Sequence, residues 1–192
     1  MEEQEVSQLL RAGEQRAVEF KRGGPLNDSN LVARIARAVL AMSNKRDGGR
    51  VFVGVENDGT PGGIGPADFA TWNHDHLRDK IAVYADPYVA FDVENLDFKG
   101  ASIIVLHVME FEDVPVICKK AFEQILRDGT IYVRGRRKPE SVPIMSHSDM
   151  RELMDLAAEK AVARFSRLRQ AATTPVDANL FDKELGDFWP SR

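Results

Sequence analysis

The chain has 192 residues, 43% of them hydrophobic and 29% charged, enough to bury one sizeable core with appendages. A formal net charge of −4 excludes indiscriminate coating of nucleic acid or anionic membrane, so any polyanion site must be a local patch. Cys118 stands alone, which excludes an internal disulfide framework and fits a reducing, cytoplasmic setting.

The acidic start, Met1 to Glu5, lacks the apolar stretch of a signal peptide, and no apolar run reaches the ~20 residues of a membrane span. Residues 2–12 read as a short helix carrying Val6, Leu9 and Leu10 on one stripe. Residues 17–21 read as a strand, with Val18 and Phe20 on one face and Ala17, Glu19 and Lys21 on the other. Asn27 to Asn30 supplies N-cap candidates for a helix marked by Leu31, Val32, Ile35, Ala36, Val39 and Leu40. Arg34 and Arg37 lie on its opposite side. The helix ends over Asn44 to Gly49. "RVFVGVEN" is a strand, and "DGTPGGIG" a turn-rich link.

Residues 67–85 are expected to be helical up to the approach of Pro87. "YVAFDVE", "ASIIVLHVME", "PVICKKA" and "TIYVRG" are expected strands. Asp149, with Glu152 three residues on, predicts a capped helix to about Ala171, roughly 34 Å long. Its expected stripe is Met150, Leu153, Met154, Ala157, Ala161, Phe165 and Leu168. The order of elements predicts an α+β fold, a mixed sheet flanked by helices. The organisation is a domain over 1–147, a C-terminal helix over 148–172, and a linker with an amphipathic tail over 173–192. In that tail Leu180, Phe181, Leu185, Phe188 and Trp189 are expected to dock on the domain or on a partner protein.

Three stretches in order, "VEFK" at 18–21, "ARAVLAMSNKRDGGRVFVGVENDGTPGGIG" at 36–65 and "GTIYVRGRRKPES" at 129–141, resemble the AlbA-type domain of the Schlafen family, often bacterial, over about residues 6–145. The resemblance implies nucleic-acid binding, RNA or DNA. In nuclease members it also implies a metal-binding acidic trio, which matches Glu14, Glu19 and Asp58, with Glu56 in reserve. Such a trio would hold Mg²⁺ or Mn²⁺ and position water against a phosphodiester, with Lys21 stabilising the phosphate charge. Residues five apart on one strand point to opposite faces, so Glu14 would have to fold back toward Glu19. The family's two-lobed horseshoe implies that a homodimer or partner protein completes the groove. Where the family carries a Gly-Ser-Ser-type loop after the Tyr-x-Arg, this chain has Arg136, Arg137 and Lys138.

Eight Lys/Arg against three acids lie between Arg16 and Arg50, and five against one between Arg127 and Lys138. Arg22, Arg34, Arg37, Lys45, Arg46, Arg134, Arg136, Arg137 and Lys138 are the expected phosphate contacts, with Tyr132 offered for base stacking. The glycine-rich link lacks the Lys and Ser/Thr of a P-loop, which argues against ATP. His74 and His76 diverge on a helix, His107 sits in an apolar strand, and Cys118 reads as structural. The rival to a metal-dependent nuclease is a non-catalytic adaptor in a regulatory or defence complex, binding DNA or a partner protein.

Overall fold

The computed structural model describes residues 1–173, with side-chain surroundings as far as Gln170. The tail residues Leu180, Phe181, Leu185, Phe188 and Trp189 lie outside the described residues.

Helix α1 (Glu3–Ala12) leads into strand β1 (Val18–Lys21), helix α2 (Ser29–Ser43) and strand β2 (Gly49–Val53). β1 and β2 run parallel, and parallel neighbours need a crossover of a dozen or more residues; α2 supplies it. Two short helices, α3 (Pro66–Phe69) and α4 (His74–Ala82), precede β3 (Ala85–Asp86), β4 (Phe91–Phe98), β5 (Ala101–Val108) and β6 (Ile117–Cys118). The hairpin β7 (Tyr132–Arg134) and β8 (Ser141–Pro143) and the long helix α5 (His147–Thr173) follow. The main sheet is mixed, in the order β1-β2-β5-β4, with β5 antiparallel to both its neighbours. The expected α+β class holds.

The strand "SIIVL" within β5 shows why the core has two halves. Ile103 and Val105 face α1, joining Val6, Leu10, Val18, Phe20 and Phe52. Ile104 and Leu106 face the other way, into the larger cluster around α2, α4 and the start of α5. A strand covered on both faces reads as a continuous apolar run rather than an alternation. Asn44, just past α2, is buried. Its Nδ2 donates to Val116 O (2.8 Å) and Tyr132 O (3.0 Å), and its Oδ1 accepts from Val116 N (2.8 Å). That side chain ties the end of α2 to the loop at Val116 and to the start of β7.

Five local expectations are corrected. The helix expected over 67–85 is broken at Trp72, where Asn73 caps α4 by accepting from Asp75 N (2.9 Å) and His76 N (3.2 Å). The expected strand 88–94 begins only at Phe91, and of 115–121 only Ile117 and Cys118 pair, with the equally short β3. α5 starts at His147 with Ser146 as its cap, and Glu152 leaves the expected capping box for arginine partners. Its expected stripe splits. Leu153 enters the core together with Leu156, which the expected stripe left out, whereas Met154, Phe165 and Leu168 are exposed, as is every residue from Ala161 to Gln170.

Candidate nucleic-acid interface

Strand β1 is an edge strand, and its outward backbone groups are sealed by side chains. Glu14 Oε1 accepts from Phe20 N (2.8 Å), and Arg134 Nη2 donates to Val18 O (3.0 Å) and Gln15 O (2.7 Å). Glu14 thus does fold back toward the strand, but onto its backbone. Arg134 is 1% exposed; its Nη1 donates to Glu19 Oε2 at 2.7 Å, and Ser141 Oγ donates to the same oxygen at 2.5 Å. Lys21 Nζ meets Glu19 Oε1. Burial lowers the guanidinium of Arg134 from its ordinary value, and the Glu19 carboxylate opposes that shift. Arg16 grips Glu152 through two bonds (2.9 and 2.6 Å), and Arg136 Nε reaches the same carboxylate at 2.9 Å, so α5 is fastened to this corner as well.

The expected metal trio is therefore not gathered. Both oxygens of Glu19 are taken by cations and a hydroxyl. Asp58 lies in a different concavity with Leu10, Arg11 and Lys99, where its Oδ1 accepts from Thr60 N at 2.8 Å. That bond holds its carboxyl below the usual range. Glu56 pairs with Arg22 (3.3 Å). Among the described residues no three His, Cys, Asp or Glu side chains are grouped to share a metal ion. The side chains as placed do not fit the Mg²⁺ or Mn²⁺ that the resemblance implied.

What the fold does assemble is a groove of about 500 Å³ where β1 ends and α2 begins. Gly23 makes the turn close. A Cβ there would stand 2.4 Å from Gly63 O, so the β1 exit can press against the glycine-rich link only without a side chain. Lys21, Arg22, Arg34 and Arg37 line the groove, against the acids Asp28 and Glu56, with Asn30 and Asn57 as further polar walls. Arg34 and Arg37, one turn apart on α2, point the same way. Arg37 Nε is enclosed and has no hydrogen-bond partner. Asp28 caps α2, accepting from Asn30 N (2.9 Å) and Leu31 N (3.2 Å).

The other expected phosphate contacts fall elsewhere. Arg134 is a buried structural cation, and Tyr132, 2% exposed, points inward, its hydroxyl accepting from Arg127 N at 2.9 Å rather than facing a base. Lys45 Nζ staples its own turn through Arg46 O and Gly48 O, and Arg46 pairs with Glu159. Arg136, Arg137 and Lys138 border a separate cavity beside the start of α5. His107 pairs with Glu94 (2.8 Å), and Cys118 is buried. Ser141 was within reach of sequence reasoning because it closes the "RGRRKPES" stretch. Asn44 and Glu152 were legible only as the end of one helix and the cap of another, and Asn57 only as part of a strand end. No described helix is long and apolar enough to cross a membrane.

The family model described as Schlafen, AlbA_2 matches residues 14–143. The crystal structure of the DIP2311 protein from Corynebacterium diphtheriae is similar in fold, at 17% identity and a TM-score of 0.51, over 71% of this chain and 23% of that one. This chain thus spans about a quarter of that protein's length. No curated protein matches.

Proposed function

Because the chain belongs to the Schlafen AlbA_2 family, we propose that it binds nucleic acid, RNA or DNA, by laying the sugar-phosphate backbone in the groove between β1 and α2. The observation that carries this is Arg37 Nε, an enclosed donor without a partner, among four cations that outnumber the acids two to one in a chain whose net charge is negative. An unpartnered donor costs free energy that a phosphate oxygen would recover once the Arg37 side chain turns into the groove. Arg34 and Arg37 supply charge-assisted hydrogen bonds, Lys21 and Arg22 broaden the positive field, and Asn57 adds an uncharged donor at the rim. Contacts of this kind set affinity and register without reading sequence. Cleavage is not part of the proposal, since the acids that would hold a metal are committed to Arg134, to backbone amides or to another face.

Fluorescence anisotropy with labelled RNA and DNA duplexes over a KCl series tests it. Binding that weakens log-linearly with salt is expected, and Arg34→Ala with Arg37→Ala should weaken it on every sequence alike. Absence of binding, or binding that this pair of substitutions leaves untouched, would sink the groove assignment.

A further inference from the structure

The turn between β7 and β8 and the first turn of α5 enclose a second cavity, about 510 Å³, with no lining residue in common with the β1–α2 groove. Arg137 and Lys138 stand at its rim, exposed and without an ion pair, and the lining acids are Glu140 and Asp149. The floor is the start of a 27-residue helix. Ser146 caps that helix: its carbonyl accepts from Met150 N (3.0 Å) and its Oγ from Ser148 N (3.2 Å), while the two serine hydroxyls lie 2.7 Å apart. Asp149 also lines this cavity. It is 9% exposed, and its Oδ1 is enclosed with no hydrogen-bond partner.

The two ends of the cavity ask for opposite chemistry. The cations and the positive end of the helix dipole favour an anion. An enclosed carboxylate oxygen favours a hydrogen-bond donor. Inorganic phosphate would satisfy only the first, and an amine only the second. A nucleotide carries both in one molecule, and the cavity lies within the size range of a small-ligand site. We propose that this cavity is a nucleotide subsite, with the phosphate against Arg137, Lys138 and the first-turn amides of α5, and with Asp149 accepting from the amino edge of the base. Of the two pyrimidines cytosine suits it, since its N4 amino group donates to a carboxylate where uracil presents a carbonyl oxygen that the carboxylate repels. The subsite rests on the nucleic-acid reading and adds a base-reading contact remote from the groove.

The experiment is a titration of the ¹⁵N-labelled full chain with cytidine 5′-monophosphate, uridine 5′-monophosphate, cytidine and inorganic phosphate, followed by amide shifts. Cytidine monophosphate should move the amides of Arg137, Ser148 and Asp149, about tenfold more tightly than uridine monophosphate. Arg137→Ala with Lys138→Ala should reduce it to the affinity of cytidine. Asp149→Asn, near-isosteric and checked for folding in the same spectrum, should remove the preference for cytosine. Equal binding of phosphate and both nucleotides would overturn the base-reading assignment, and no shifts between residues 135 and 149 would overturn the subsite altogether. Duplex affinity measured on the same variants separates the two ideas. Loss of duplex binding with Arg34→Ala and Arg37→Ala, while these shifts persist, is expected. A chain that takes cytidine monophosphate here but no duplex anywhere would sink the groove and leave the subsite standing.

Discussion

Strand β1 carries charge into two neighbourhoods that look alike in sequence and differ in kind. At Glu19 a carboxylate and a guanidinium are both almost fully buried, and each is nearly saturated by the other, by Ser141 and by backbone carbonyls. At the other end, Arg34 and Arg37 face an open groove with surplus positive charge and an unpartnered nitrogen. The first arrangement has little capacity left for a ligand, whereas the second leaves a donor unpartnered. Burial and saturation, rather than the presence of Glu, Lys or Arg, tell structural charge from charge offered to a partner.

The sharpest way to break this contrast is Arg134→Ala. It leaves Glu19 with Lys21 and Ser141 but takes away its most deeply buried partner, and a buried ion pair deprived of one member typically costs about 3–5 kcal/mol. Urea denaturation should show the loss as a lowered midpoint. A variant as stable as the parent but unable to bind nucleic acid would reverse the roles assigned to the two regions. Next in size is the groove: with Arg34→Ala and Arg37→Ala, the slope of log affinity against log salt should shrink by about 2, one unit per phosphate contact. Arg34→Ala alone should leave stability within about 0.5 kcal/mol, since that side chain is exposed and unpaired.

A smaller effect than that of Arg134 concerns Glu152. The bonds from Arg16, then Arg136, hold its carboxyl below the usual range, outweighing the burial that would raise it. A carboxylate depressed in the folded state contributes stability above its unfolded pKa, and the contribution is lost as pH falls through the folded value. Glu152→Gln should therefore cost up to about 1 kcal/mol at pH 7, the pair being partly exposed. Melting temperatures followed from pH 7 to pH 3 should show the variant and the parent converging. A gap that stays constant with pH would mean that Glu152 acts through packing alone.

Much of the fold was legible because the signals were local. The alternation of β1, the apolar face of α2 and the unbroken apolar run of β5 each follow from spacing within a few residues. Glu19 was legible as a residue under constraint but not as to which constraint. Its partners Arg134 and Ser141 lie 115 and 122 positions away, and nothing in β1 announces them. The groove cations Arg34 and Arg37 were readable as the polar side of a helix, while Lys45 and Arg46, equally basic in sequence, spend their charge on a turn and on Glu159. α5 misled for a physical reason. It carries apolar residues on two sides, and only the tertiary fold decides that Leu153 and Leu156 go inward while Phe165 and Leu168 stay out.

The way Arg134 and Glu14 finish the outer margin of β1 bears on what that margin can pair with. A bare sheet margin is a template onto which another chain can zip, and natural sheets guard against it with charges, bulges or coverings. Here the guard is a planar fork on the carbonyls and a carboxylate on an amide, two side chains standing where a fifth strand would run. Removing the fork would do more than loosen the interior: it would bare a sticky rim and invite edge-to-edge fibre growth.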